Sequence, residues 1–319
     1  MNRSIGPTAL EAIDVRFVYP DGIVALAGVS LRVGQGEFVV IMGANGSGKT
    51  TLMKVFLGLL RPRQGVVRLG AGDINCFRPA ELYRRVGMVF QNPSDQLFAS
   101  TVELDVAFGP RNLGLSEAEV TRRVEESLAA VDALALRGRP IHHLSYGQQK
   151  RVSLAGVLAM RPDILLLDEP TAGLDPAGES QMIDLLVRLN RSRGATLVLS
   201  TQSVDLLPVL ADRVCVLAQG RVWQEGTPRE VFADPCRIAQ AGLRVPLVTQ
   251  LFQDLCGRQG KEKEDRSKVP ERPERCRAST GQVPFFPERL PLTVAEARRE
   301  IVRWLAETRI GCSEDRGSP

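Results

Sequence analysis

The chain has 319 residues and a formal net charge of +4, with 44% hydrophobic and 24% charged residues. That is enough chain for one large or two modest domains with buried cores, which excludes a peptide-sized fold dependent on disulfides. No apolar stretch reaches the ~20 residues needed to cross a bilayer, and Met1–Pro7 lacks the apolar run of a signal peptide. Cys76, Cys215, Cys236, Cys256, Cys276 and Cys312 are scattered without Cys-x-x-Cys spacing, so a cytoplasmic setting with free thiols is expected. The two histidines, His142 and His143, are adjacent and far from any cysteine, which argues against a structural zinc or a His-based triad.

Charge divides unevenly along the chain. Residues 1–235 carry 25 Lys+Arg against 25 Asp+Glu, whereas residues 236–319 carry 16 against 12. A nucleic-acid binder concentrates basic charge in its folded body. Here the body is neutral and the excess sits in a solvated tail, so no nucleic-acid partner is expected.

In chain order, Val24–Val33 and Glu37–Met42 read as strands, the second almost wholly apolar and therefore buried on both faces of a parallel sheet. Leu52–Leu60 has helical spacing. Ser116 opens a helix to about Ala133, with Glu119 completing a capping box. A further helix runs to about Met160, and Asp163–Leu167 is another buried strand. Asp175-Pro176 opens a helix to about Asn190. Ala195–Ser200 and Arg213–Leu217 are short strands, and Gly220-Arg221 turns into Val222-Trp223. Alternating strands and helices indicate an α/β body over residues 1–235, followed by a helical extension over 236–257. From Arg258 to Arg277, 13 of 20 residues are charged, and a Pro-rich stretch follows to Pro291. Such a composition buries too little apolar surface to order itself, so 258–291 reads as a linker. Residues 292–319 then resume helical spacing after Thr293 as N-cap with Glu296 three residues on, a helix able to dock on a partner or on the body.

Two stretches carry phosphate chemistry on their own. Gly43-Ala44-Asn45-Gly46-Ser47-Gly48-Lys49-Thr50 satisfies Gly-x4-Gly-Lys-[Ser/Thr] between a buried strand and a helical pattern. The glycines let backbone N–H groups and the helix N-terminus wrap phosphates, Lys49 brings charge to the β and γ groups, and the Thr50 hydroxyl suits Mg²⁺. Ile164–Pro170 is an apolar strand ending in Asp168-Glu169, which delivers two carboxylates to the edge of the sheet where ligands of open α/β folds bind. Asp168 is the candidate Mg²⁺ group, and Glu169 the candidate base for an attacking water.

Leu144-Ser145-Tyr146-Gly147-Gln148-Gln149-Lys150-Arg151, just upstream of that acidic strand, resembles the signature motif of ABC-type ATPases. The resemblance covers roughly residues 10–235. It implies a P-loop NTPase of the ABC ATPase type, with a small antiparallel β subdomain and a helical signature subdomain, and a head-to-tail dimer in which Ser145, Gly147 and Gln148 meet ATP held by the second subunit. It further implies that Tyr19 stacks on adenine, that the phosphate loop with Thr51 holds ATP, and that Gln91 joins Thr50 and Asp168 around Mg²⁺. Ala172–Asp175 resembles the loop crossing the dimer interface. Two positions depart from the family pattern: Tyr146 replaces the commoner glycine, and Gln202 stands where a histidine is usual, as a donor to γ-phosphate that cannot become cationic.

Asn92–Phe98, Val106–Gly114 and Gly242–Phe252 are similar to the CbiO-type ATPases of energy-coupling-factor importers. This narrower resemblance implies an ATP-hydrolysing subunit at the cytoplasmic face of the membrane, driving separate transmembrane subunits that take up cobalt or nickel. Two alternatives stay open. One is an ABC ATPase of DNA repair or translation, whose members usually carry a coiled-coil insertion or two cassettes, neither of which is seen here. The other is an ATP-binding regulatory subunit with weak hydrolysis, suggested by Gln202.

Overall fold

A computed structural model describes residues 6–205, 207–257 and 290–314. Nearly all of the linker expected over 258–291 lies outside the described residues.

The strands are β1 (Thr8–Val18), β2 (Val24–Gly34), β3 (Phe38–Met42), β4 (Gln64–Leu69), β5 (Gly72–Asp73), β6 (Val86–Val89), β7 (Ile164–Asp168), β8 (Thr196–Thr201), β9 (Arg213–Ala218) and β10 (Arg221–Gly226). They form two sheets. The smaller is antiparallel, in the order β2-β1-β4-β5, and the larger runs β10-β9-β3-β8-β7-β6, parallel except for the β9–β10 hairpin.

Between them run α1 (Lys49–Phe56), α2 (Pro79–Arg85), α3 (Val102–Asn112), α4 (Glu117–Ala130), α5 (Tyr146–Met160), α6 (Pro176–Arg193), α7 (Leu207–Leu210), α8 (Pro228–Val231), α9 (Pro235–Gln240), α10 (Leu247–Gly257) and α11 (Val294–Glu314).

Alternation along β3, β7 and β8 divides the interior in two, as expected of strands buried on both faces. Phe38, Val40, Met42, Leu165, Leu167, Leu197 and Leu199 face a core shared with α3, α4, α5 and α6. Val39, Ile41, Leu166 and Val198 face the other way, toward Leu52 and Phe56 of α1 and Leu10, Leu26 and Val29 of the small sheet.

Local signals set the element ends. Ser116 accepts from the Glu119 N–H at 3.4 Å to open α4. That helix stops at Ala130 rather than near Ala133, because Asp132 turns left-handed at φ 55°. α1 likewise ends at Phe56, short of Leu60, with Gly58 at φ 75°. Asp175 caps α6 by accepting from Gly178 N at 2.7 Å.

The expected terminal helix is present as α11, and its start docks on the body. Leu292 and Ala297 are buried, the buried Thr249 hydroxyl donates to Pro291 O at 2.8 Å, and Glu296 pairs with Arg229 at 2.7 Å. Among the described residues, no helix is long and apolar enough to cross a membrane.

Candidate functional site

The phosphate loop leaves the fully buried β3 and enters α1 at Lys49. Gly48 sits at φ 105°, and a Cβ there would meet Ala25 O at 2.5 Å, so the turn needs glycine both for its backbone angle and for space. Lys49 is buried; its Nζ donates to Gly43 O at 2.7 Å and Ala44 O at 3.3 Å and lies 3.7 Å from Glu169 Oε1. Desolvation pulls its pKa below the usual lysine value, against the opposing pull of the Glu169 and Asp168 charges.

Register places the two carboxylates. Asp168, the last residue of β7, pairs with Ser200 on β8. The Ser200 hydroxyl donates to Asp168 Oδ1, and Thr50 Oγ1 donates to Asp168 Oδ2 at 2.8 Å. Glu169 turns left-handed at φ 47°, which costs about 1–2 kcal/mol in a residue with a Cβ. Its N–H is held by Ser200 O at 3.1 Å and Ser200 Oγ at 3.2 Å. The turn aims the carboxyl back over the phosphate loop, where burial pushes its pKa up while Lys49 and hydrogen bonding from Gln202 pull it down. Its Oε1 is buried without a hydrogen-bond partner among the described residues, as is Ser47 Oγ on the loop itself.

Other expected residues converge here. Tyr19 OH and Thr51 Oγ1 lie 3.0 Å apart, and Gln202 Nε2 donates to Asn45 Oδ1 at 2.8 Å. Tyr19, residues 45–51, Gln91, Glu169 and Gln202 line one cleft of about 230 Å³, with exposed Ile23 and Val24 beside Tyr19.

Ser145, Gly147 and Gln148 are not brought into that cleft. They line a second one of about 470 Å³, with Arg151, Gly173 and Asp175. Their polar groups are engaged locally: Ser145 N donates to Gln148 Oε1 at 3.0 Å, and Gln148 N to Ser145 Oγ at 3.4 Å, a capping box at the start of α5.

Sequence reading gave no role to Ser200 or to the buried Lys150, whose Nζ donates to Glu169 O at 2.8 Å. Ser200 pairs directly with Asp168 across β7 and β8, and the one trace of it in the sequence is a hydroxyl near the end of an apolar strand. The helical extension also reaches this region, since Leu247 N donates to Asp205 Oδ1 at 2.8 Å, three residues beyond Gln202.

Residues 26–172 match the family described as ABC transporter. The energy-coupling factor transporter ATP-binding protein EcfA of Methanocaldococcus jannaschii is 44% identical over 300 residues, covering 93% of this chain and 98% of that one. The cobalt import ATP-binding protein CbiO of Rhodobacter capsulatus is 52% identical over 244 residues, 76% of this chain and 87% of that one. Among solved structures, CbiO1 of Clostridium perfringens, part of the ABC transporter complex CbiONQ, superposes with a TM-score of 0.67 at 40% identity, covering 77% of this chain and 99% of that one. A dimeric post-hydrolysis state of the ATP-binding cassette MJ0796 with ADP and Pi gives a TM-score of 0.63 at 30% identity, over 69% of this chain and 99% of that one. With this fold, this phosphate cleft and relatives matched over nearly their whole length, the chain belongs to the ATP-binding ATPases of ABC transporters, of the type that EcfA and CbiO represent.

Proposed function

We propose that this ATPase energises a transmembrane importer of cobalt or nickel from the cytoplasmic face, and that it works as one half of a head-to-tail dimer with a second ATPase subunit around two ATP molecules. The observation that carries the hydrolytic part is Glu169, whose buried Oε1 accepts no hydrogen bond among the described residues and lies within ion-pair distance of Lys49, 3.7 Å away, at the edge of the phosphate loop. A carboxylate with a raised pKa is suited to take a proton from water, a role worth ~10²–10⁴ in rate.

Lys49, the loop N–H groups and the start of α1 hold the phosphates, Ser47 Oγ has an unmet hydrogen bond to give them, and the Tyr19 ring takes the adenine beside Ile23 and Val24. Mg²⁺ fits the donor set, because Thr50 Oγ1 and Asp168 Oδ2 are hard oxygens 2.8 Å apart and Gln91 lines the same cleft. When bound, the ion would neutralise phosphate charge. Glu169 accepts the proton of the water that attacks the γ-phosphorus, ADP leaves, and the Gln202 amide donates to the γ-phosphate oxygens as a neutral group.

The dimer is supported by the separation of the two clefts: Ser145 and Gly147 lie at a helix N-terminus and line a cleft that includes no residue of this chain's own phosphate loop. A membrane subunit has a docking face on the segment that follows Gln91 in the chain. Phe98, Leu104 and Phe108 are exposed, with Phe98 and Phe108 edge to face at 4.7 Å, and the loop before them is fixed by Asp105 accepting from Phe98 N and Ala99 N.

Cobalt is supported by the name of the 52% identical relative, and nickel by the sequence resemblance alone. The test is tagged purification from native membranes, then reconstitution in vesicles with cobalt or nickel outside. ATP-dependent accumulation of either metal is expected. Recovery with nucleic acid in place of membrane subunits would refute the transport reading, and vesicles that hydrolyse ATP yet take up neither metal would refute the substrate alone.

A further inference from the structure

Lys150 stands on the first turns of α5, one helical step beyond Tyr146, and is only 3% exposed. No carboxylate among the described residues lies within ion-pair distance of it. A buried ammonium is unfavourable unless it is hydrogen-bonded, and this one has two engagements: Nζ donates to the Glu169 carbonyl at 2.8 Å and lies 5.5 Å from the centroid of the Tyr146 ring. The Tyr146 ring in turn abuts Gly173, where an added Cβ would meet Tyr146 Cε1 at 2.8 Å.

These contacts surround the one residue of the nucleotide cleft whose backbone is strained. Glu169, at φ 47°, is pinned on its N–H side by Ser200 and on its carbonyl side by Ala172 N at 3.2 Å and by Lys150. With both flanking peptides fixed, the direction of the Glu169 Cα–Cβ bond is set, and its carboxyl lies 3.7 Å from Lys49 Nζ. Burial brings the Lys150 pKa down to about 8, against the opposing pull of the Glu169 and Asp168 charges.

We propose that Lys150 is a positioning residue for ATP hydrolysis: it holds the left-handed backbone of Glu169 from the start of the signature helix, so that a helix meeting the second subunit's nucleotide also sets the base at this chain's own site. The proposal rests on the reading of Glu169 as the base and of the signature as a contact made across the dimer.

The test uses the full-length protein and three variants: Lys150→Met, which removes the donor, Lys150→Arg, which keeps one, and Glu169→Gln. Misplacement of a catalytic group by about 1 Å is worth up to about 100-fold. The expected outcome for Lys150→Met is therefore a roughly 10- to 100-fold loss of kcat, with KM for ATP and the melting temperature unchanged and with substantial recovery in Lys150→Arg. Because Lys150 acts through Glu169, Lys150→Met should add nothing when Glu169 is already Gln, as measured by single-turnover hydrolysis. If Lys150→Met does not fold, the same comparison is made with Tyr146→Gly, which leaves the lysine and removes the ring beneath it. Unchanged kcat in Lys150→Met, a loss that tracks the melting temperature, or additive losses in the double variant would each overturn the proposal. The two readings separate cleanly: hydrolysis that survives Glu169→Gln refutes the base assignment itself, whereas hydrolysis lost in Glu169→Gln and intact in Lys150→Met refutes only the role of Lys150.

Discussion

The nucleotide cleft and the signature cleft are built in opposite ways. In the first, charged side chains are buried and satisfy one another within the chain: Lys49 against Gly43 O and Glu169, Thr50 and Ser200 against Asp168. In the second, Ser145 is exposed and its polar groups are spent on a capping box with Gln148, while Gly147 presents only backbone. The contrast separates two kinds of work. A preformed set of buried charges can hold phosphate in the ground state without help, whereas an exposed helix N-terminus needs an anion brought to it. On the proposed dimer reading, one chain contains a whole binding site and half of a hydrolytic one.

The sharpest way to probe that division is to remove chemistry from the buried side while keeping its shape. Glu169→Gln is expected to keep ATP affinity and slow hydrolysis by ~10²–10⁴, about 3–5 kcal/mol of barrier, so that ATP-bound dimer accumulates. Size-exclusion chromatography with ATP and a single-turnover assay read both effects. Near-normal hydrolysis would remove Glu169 from the base role.

Lys49→Ala acts on the ground state. Loss of a charge-assisted contact worth ~1.5–3 kcal/mol should weaken ATP binding by roughly 10- to 100-fold by calorimetry. Unchanged affinity would mean that the loop backbone alone carries the phosphates.

How far these sites were legible in the sequence follows from how local their signals are. The phosphate loop, Asp168-Glu169 and the signature are contiguous strings whose chemistry is set by neighbours in the chain, and helix caps at Ser116, Asp175 and Thr293 are written within four residues. β1 carries no regular strand pattern in the sequence because a bulge interrupts its alternation: Leu10 and Ala12 face inward, the register shifts around Asp14 at φ 48°, and Val15 and Phe17 take over. Ser200 and Lys150 matter through partners on other elements, Ser200 through strand register and Lys150 through a helix lying over the end of β7. Neither relation has a local signature. The docking of residues 291–297 is equally non-local, since Leu292 finds its place only beside Arg229, Phe232 and Thr249.

Gln202 lies between the two clefts in character, exposed like the signature yet hydrogen-bonded like the phosphate loop. Its amide already reaches Asn45 at 2.8 Å and lines the nucleotide cleft. Gln202→His, measured by single turnover in the assembled complex, is therefore expected to change hydrolysis by no more than about threefold, since one donor replaces another. A rise of roughly 10- to 100-fold, the worth of a charge-assisted bond gained in the transition state, would show instead that the glutamine site is degenerate and relies on a competent second ATPase.

The smallest effect on nucleotide chemistry is expected from removing residues 258–319, and its effect on stability can be bounded from contacts. Burial of Leu292 contributes at most about 1.5–3 kcal/mol, and the buried Thr249–Pro291 hydrogen bond about 0.5–1.5 kcal/mol. Arg229–Glu296 is half-exposed and screened, so it adds ~1 kcal/mol or less. Against these stands the entropy of ordering the segment across a long connection, about 1–2 kcal/mol per residue fixed, which offsets most of the gain and holds the net to at most about 1–2 kcal/mol. For a body of this size that corresponds to a melting temperature lower by roughly 2–8 °C, with ATP affinity within about twofold, because Leu292 and Glu296 contact neither the phosphate loop nor Tyr19. No shift in melting would mean that α11 does not rest on the body in solution. A collapse of folding, or a large loss of ATP affinity, would mean that the terminal helix supports the nucleotide cleft itself, and the division between a self-sufficient binding site and its surroundings would have to be redrawn.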